Sequence, residues 1–238
     1  MISLSRVTVV PVISECERQE ALQVLRATYE RETRWVADGN KFFSPDDLDR
    51  FDVKWFLARR SREPVGVLRV LFNPPLEVYA QYGFRPVPGA AFDLTEFVKH
   101  SRVAEIGRFA VLPEHRKNHY IATSLMRAAA RDTLERGFTH YVTDIFEGEQ
   151  HSPYLFHTRV MGFVPVATHD VGELNCPNRR VTMVLDLRAA YQRLRRGGGW
   201  LFRYLTADWS EALHRRLAGE EYRPAAARKS RFADAVLA

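Results

Sequence analysis

Two opposite charges three residues apart, Glu105 and Arg108, interrupt an otherwise apolar strand pattern, Val103-Ala-Glu105-Ile-Gly-Arg108-Phe-Ala-Val111. A carboxylate can accept a proton and a guanidinium can hold an anion. The strand runs into a basic turn, Leu112-Pro-Glu-His-Arg116-Lys117-Asn118-His119, and then into a helical pattern, Tyr120-Ile-Ala122-Thr-Ser-Leu-Met-Arg-Ala-Ala-Ala130. The first turn of a helix leaves backbone N–H groups without intrahelical partners and carries partial positive charge, so these amides beside Arg116 and Lys117 form a socket for a phosphate-bearing ligand. The glycines that usually let a backbone approach a pyrophosphate are replaced by His119, Tyr120 and Ala122.

The elements that must position these residues follow from periodicity. Residues 6–13 read as an opening strand, and residues 17–33 as a helix with Ala21, Leu22, Leu25 and Tyr29 at helical spacing. A polar, flexible segment runs to Asp49, and residues 53–59 and 65–72 form a hairpin across the polar turn 60–64. Residues 73–88 read as a long loop, with a short helix near 94–98. The strand at Val103, a helix over about 119–136 ending at Gly137, a strand over 139–146, a helix over about 153–161 stopped by Gly162 and a late strand over 179–187 complete the pattern. Strand and helix alternate, which predicts a mixed α/β sheet. Gly197-Gly-Gly199 then breaks the chain, residues 200–217 read as an amphipathic helical appendage, and residues 220–238 as poorly ordered.

Composition bounds the function classes. The chain has 238 residues, 46% hydrophobic and 27% charged, enough for one large domain with a sizeable core. Two cysteines, Cys16 and Cys176, fit neither a disulfide framework nor a zinc cluster, no signal peptide is read at the N-terminus, and no metal site is expected. A cytoplasmic location is the expectation. No apolar stretch approaches the roughly 20 residues that span a bilayer. Residues 188–238 hold eleven Arg or Lys against five Asp or Glu, which accounts for the whole net charge of +6. Such a tail suits an acidic protein or an anionic membrane surface, or simply forms a solvated face. Nucleic acid is disfavoured, because no helix-turn-helix, finger or aromatic RNA-binding motif accompanies the charge.

The strand ending Val111-Leu-Pro113, the basic turn with its helix, and Arg159-Val-Met-Gly-Phe163 resemble the core of the GNAT acyltransferase superfamily over about residues 53–187. More narrowly, Arg26, Trp35, Asp49-x-x-Asp52, Arg69 and Glu105-x-x-Arg108 resemble, in order and spacing, the acyl-carrier-protein-dependent branch that holds acyl-homoserine-lactone synthases and long-chain N-acyl amino acid synthases. The segment 151–163, Asn175-Cys-Pro and Val181-Thr-Met-Val-Leu lean toward the amino acid synthases. His157 stands where those carry a Tyr. Lys117, Tyr120 and Ala122 stand where the superfamily usually has a basic or amide residue and two small ones, which argues against ordinary acetyl-CoA use.

The resemblance implies an α/β fold with a mixed, strongly twisted sheet flanked by helices, an acyltransferase domain over residues 1–187, and a C-terminal helical appendage over 188–238. It implies aminolysis of a thioester, with no permanently bound cofactor. The donor is an acyl-phosphopantetheine on acidic acyl carrier protein, or acyl-CoA; the acceptor is an amino acid or related small amine. Glu105 is the candidate base, with apolar Ile106 and Phe109 beside it to raise its pKa; the alternative is a structural charge network. Arg69 or Arg108 would fork an acceptor carboxylate, with Arg26, Trp35, Asp49 and Asp52 shaping the pocket. His157, with its ordinary pKa near 6.5, or Tyr154 would protonate the leaving thiolate. The donor arm would lie along Val111, Arg116, Lys117, Asn118, His119, Tyr120 and Ala122. Tyr79, Tyr82, Phe84, Phe92 and Phe97 supply aromatic area for an acyl tunnel, with plain core as the alternative. The tail would cover that tunnel, lie on the inner membrane surface, or pack on its own domain. Rival readings are an S-adenosylmethionine-dependent homoserine-lactone synthase, an acetyl-CoA-dependent acetyltransferase and a non-catalytic binding module.

Overall fold

The computed structural model describes residues 7–76, 82–90, 92–149 and 152–219. Eight strands form one sheet: β1 (Val7–Pro11), β2 (Val53–Arg60), β3 (Glu63–Phe72), β4 (Arg85–Pro86), β5 (Val103–Val111), β6 (His140–Phe146), β7 (Val164–His169) and β8 (Arg180–Asp186). Their order across the sheet is β1-β2-β3-β5-β6-β8-β7-β4. Every neighbouring pair is antiparallel except β5 with β6.

Both faces of the sheet are covered, so its central strands are apolar on both sides. Along β2, Trp55 and Leu57 face one hydrophobic cluster while Phe56 and Ala58 face the other. The first cluster is closed by α1 (Glu15–Leu25), which starts at a Ser14/Glu17 capping box and buries Ala21, Leu22, Val24 and Leu25. The expected single helix over 17–33 changes at Arg26 into a π-helical segment, Arg26–Glu32, that buries Thr28 and Tyr29. Two short helices, α2 (Gly39–Phe42) and α3 (Pro45–Leu48), follow where a flexible segment was expected. The short helix α4 is Leu94–His100.

The second cluster is closed by α5 (His119–Glu135) and by the chain after β8. A helix, α6 (Leu187–Gly197), starts on Asp186, whose carboxylate accepts the Ala189 amide at 2.9 Å. The sequence reading passed over it because its arginines obscured Leu187, Ala190, Tyr191 and Leu194, which share one face. The appendage is two helices, α7 (Trp200–Thr206) and α8 (Glu211–Ala218), separated by a Ser210 N-cap. Of the three roles considered for the tail, packing on its own domain is the one seen. Leu205, Leu213 and Leu217 are buried in the same cluster as the sheet, and Asp208 pairs with Arg127 and Arg131 of α5. No described helix is long and apolar enough to cross a membrane.

Among the described residues of the aromatic loop, Phe84, Phe92 and Phe97 form a satellite core, whereas Tyr82 stacks on His169 and lines the cavity between β5 and β6. Phe84 and Phe97 pack with Leu76, Leu94, Val103, Val142 and Val184, and Phe92 stacks between them at 6.4 and 5.2 Å. The gap left there is about 10 Å³, too small for an acyl chain. Tyr79 and residues 220–238 lie outside the described residues.

Candidate active site

The parallel pair β5–β6 is joined over only three residue pairs, Val103↔His140, Ala104↔Tyr141 and Glu105↔Val142. Beyond them β5 stays with β3 and β6 with β8, so the two strands diverge. A cavity of about 960 Å³ opens between them, within the range of small-molecule sites. A β-bulge between Val67 and Arg69 bends β5 at the same place, and Arg108 sits there in the left-handed region at φ 49°. A non-glycine residue held in that conformation stores strain of the kind found at functional sites.

The bend leaves one amide facing the opening. Leu112 donates its N–H to Val65 O on β3 at 3.0 Å, so alternation turns the N–H and C=O of Val111 to the open side. The bulge at Arg108 and Phe109 interrupts that alternation one residue earlier. Tyr29 Oη donates to Phe109 O at 3.5 Å, and Arg116 Nε donates to Val111 O at 3.0 Å. Burial pushes the Tyr29 phenol up, which keeps it a donor. The amide of Val111 is thus presented to the cavity.

Glu105 lines the cavity and pairs with Arg69, Nη2 to Oε1 at 2.5 Å. The expected apolar setting of Glu105 is therefore corrected, because its nearest partner is a guanidinium. Gly107 makes room for the pair: a Cβ there would lie 2.7 Å from Glu105 Oε1 and 3.1 Å from Arg69 Nη2. Arg108 pairs with Glu173 and lies over the Phe42 ring at 5.3 Å. Arg69 and Arg108, the two forks expected for an acceptor carboxylate, are both engaged by acids of the chain.

The remaining acceptor-side residues divide. Trp35 lines the cavity against Phe146, with ring centroids 4.3 Å apart. Arg26, Asp49 and Asp52 do not line it. Asp49 meets Arg18 at 3.4 Å, and Arg50 grips Asp52 through two hydrogen bonds of 3.0 and 2.6 Å, holding its carboxyl below the usual range. Arg26 packs under Gly39, whose Cβ would meet its Cγ at 2.8 Å.

On the donor side, Val111, Arg116, Asn118, His119 and Ala122 line the cavity, whereas Lys117 and Tyr120 do not. Asn118 caps α5 by accepting the Tyr120 amide at 3.1 Å. Arg116 is tied to Glu32 through two contacts of 2.5 Å, which locks the π-helical segment to the end of β5. It is a brace here, not a free phosphate ligand. Tyr120 points away and packs against Trp200 and Tyr204 at 5.9 and 5.8 Å.

The opposite wall corrects the expected acid. His157 sits in a second π-helical segment, Phe156–Met161, closed by Gly162 at φ 89°. It is 1% exposed, and burial drives its pKa down to about 4. Its Nδ1 lies 3.0 Å from Pro153 O and so carries the proton, leaving a neutral ring that lines the cavity. An imidazole of this kind has no proton to give a thiolate at neutral pH. Tyr154 is exposed and lies outside the cavity lining.

Further groups in the cavity lining carry no local sequence signal. His169 and Asp144 line the cavity, His169 Nε2 meets Asp144 Oδ2 at 3.1 Å, and Thr182 donates to Asp144 Oδ1 at 2.6 Å. Arg180 lines it as well. These residues come together only through the pairing of β6, β7 and β8, and β7 itself was not expected. Its first two residues, Val164-Pro165, follow a glycine turn and show no alternation.

The parallel strand pair thus parts over a cavity, with the Val111 amide facing the gap. The profile of the Acetyltransferase (GNAT) family matches residues 18–163, and the chain belongs to that family. Its fold is similar to the N-acyl amino acid synthase FeeM from uncultured soil microbes, with TM-score 0.61 and 17% identity over 84% of this chain and 98% of that one. Ribosomal-protein-alanine N-acetyltransferase from Brucella melitensis is similar with TM-score 0.53 and 16% identity over 75% and 99%. PaiA N-acetyltransferase from Thermoplasma acidophilum, in complex with coenzyme A, is similar with TM-score 0.50 and 11% identity over 76% and 99%. No curated protein matches significantly in sequence. The chain is an acyltransferase of the GNAT type.

Proposed function

We propose that this acyltransferase moves a medium or long acyl chain from the phosphopantetheine arm of acyl carrier protein, or from coenzyme A, to the amine of an amino acid or related small molecule. The observation that carries the reading is the cavity itself: about 960 Å³, with the Glu105 carboxylate and the inward-facing amide of Val111 on one bent strand. It has to take the pantetheine arm, the acyl chain and the amine together, and its size admits a chain longer than acetyl. The Trp35 and Phe146 rings supply an apolar wall for the substrate.

In this reading the donor thioester enters between β5 and β6, and its phosphate rests at the positive N-terminal end of α5 beside Asn118 and His119, where Asn118 already accepts the Tyr120 and Ile121 amides. Glu105 takes a proton from the acceptor ammonium. The neutral amine attacks the thioester carbonyl, a C–N bond forms, and the oxygen becomes an anion facing the Val111 amide. Attack leaves the nitrogen cationic, and collapse breaks the C–S bond as the nitrogen gives up that second proton, which goes to the departing thiolate. The first proton, held by Glu105, is released to solvent after turnover. Arg69 keeps the Glu105 carboxylate oriented between turnovers, and His157 packs the wall.

The donor is tested with purified protein by thiol release from acyl carrier protein and from coenzyme A carrying the same acyl chain. Acidic carrier protein should be preferred and its use should fall with salt, because Lys117 and tail arginines would steer it. Equal, salt-independent use of both donors would favour coenzyme A, and saturation by acetyl-CoA alone would leave a plain acetyltransferase.

A further inference from the structure

Five arginines line the cavity: Arg50, Arg69, Arg108, Arg116 and Arg180. Four of them are neutralised by a carboxylate of the chain, through Asp52, Glu105, Glu173 and Glu32 in that order. Arg180 is the exception among the described residues. It is 4% exposed, and its two hydrogen-bond partners are neutral carbonyls, Nη1 to Asp170 O at 2.8 Å and Nη2 to Leu174 O at 2.5 Å. Removing a charge from water without an opposite charge is costly, so a buried arginine satisfied only by carbonyls needs an explanation.

Its guanidinium is also fixed in place. One face lies over the Phe146 ring at 5.0 Å, and Gly172 covers it elsewhere: a Cβ at residue 172 would come within 2.6 Å of Nε. Of the five N–H donors of an arginine, two are used by the carbonyls, which leaves three for a ligand. Among the described residues no carboxylate lies within ion-pair distance of it: Asp144 pairs with His169 and Thr182, and Glu149 accepts from Asn178 at 2.7 Å.

We infer that Arg180 is the anion anchor of the acceptor pocket, binding the carboxylate of the molecule whose amine is acylated. The role expected of Arg69 or Arg108 passes to the one cavity arginine that has no acid of its own. This deepens the acyltransferase reading and rests on it. It gives the acceptor a class: an amine that also carries a carboxylate, oriented so that the anion lies at the β8 side and the amine points toward Glu105 across the opening. The fork geometry suits the bidentate pairing that guanidinium and carboxylate prefer.

The test compares phenylalanine with phenylalaninamide as acceptors, with full-length protein and the acyl donor that supports turnover. Arg180→Met should raise KM for phenylalanine by roughly tenfold or more, the range for a lost hydrogen bond to a charged group, and leave KM for the amide within about twofold. Gly172→Ala, which keeps Arg180 but pushes a methyl group against it, should shift the ratio in the same direction if Arg180→Met fails to fold. Equal losses for acid and amide in either variant would overturn the inference and make Arg180 a brace for the segment 170–174. If no donor supports turnover with any amine, the acyltransferase reading fails separately; in that case, or if the wild type acylates neither of these two amines, thermal shift decides the anchor. Stabilisation by phenylalanine over its amide that vanishes in Arg180→Met supports it, and absence of any such selectivity overturns it.

Discussion

His169 and Asp144 meet across β7 and β6, Nε2 to Oδ2 at 3.1 Å, while His169 Nδ1 lies 2.7 Å from Val171 O. Both ring nitrogens face acceptors on the cavity wall, an arrangement that favours the imidazolium form. Burial works against that charge, but the Asp144 hydrogen bond and charge and the Val171 carbonyl outweigh it, and the pKa is raised despite nearby Arg180.

A raised folded value stabilises the protein fully below the unfolded histidine pKa of about 6.5 and loses that contribution as pH climbs through the folded value. Asp144→Asn should therefore be most destabilising near pH 5.5 and least at pH 9, where only the lost acceptor for Thr182 remains. Unfolding in urea at the two pH values measures this. A gap that widens toward pH 9 would contradict the imidazolium assignment.

His157 has the opposite sign. Its pKa of about 4 lies below that of an unfolded histidine, so the unfolded chain binds a proton that the folded one refuses between these values. Stability should fall as pH drops from about 6.5 to 4, by roughly 3 kcal/mol for this group alone. A His157→Asn variant should show a shallower acid slope over that window. An unchanged slope would mean that the ring protonates without penalty and that its burial is misread.

How much of this was legible in the sequence depends on whether the signal was local. Glu105, Arg108 and the turn into α5 lie within one strand–turn–helix unit, and their order alone marks a site. The apolar run 53–59 likewise reads as one strand of a hairpin, and the structure adds that β2 is buried on both faces. By contrast, the engagement of Arg69 by Glu105, of Arg108 by Glu173 and of Arg116 by Glu32 spans 36, 65 and 84 residues, so no local pattern could show which arginines are already neutralised. The same holds for His169 and Arg180, whose meaning depends on strands that pair out of chain order. His157 was misjudged because helical position does not reveal burial.

The C-terminal helices carry part of the core. Leu213 and Leu217 are each about as buried as the sheet residues they touch, so replacing either by alanine should cost about 2–5 kcal/mol. Trp200, exposed and resting on Tyr120, should tolerate alanine with little change. Thermal unfolding of the three variants measures the difference. A truncation after residue 198 that stays folded and as stable as the full chain would contradict the packing described for α7 and α8.

The central claim is transfer of an acyl chain to an amine at the split between β5 and β6, with Glu105 as the proton acceptor. Mass spectrometry of lipid extracts from cells making the wild-type chain or Glu105→Gln tests it most directly. The account predicts an N-acylated small amine in the wild-type extract, reduced at least about tenfold in the variant, the lower range for a lost proton-transfer group. Equal product from a folded Glu105→Gln protein would remove Glu105 from the chemistry. Methylthioadenosine with an N-acyl lactone would make S-adenosylmethionine the acceptor in place of a free amino acid, and no acylated amine at all would contradict the claim.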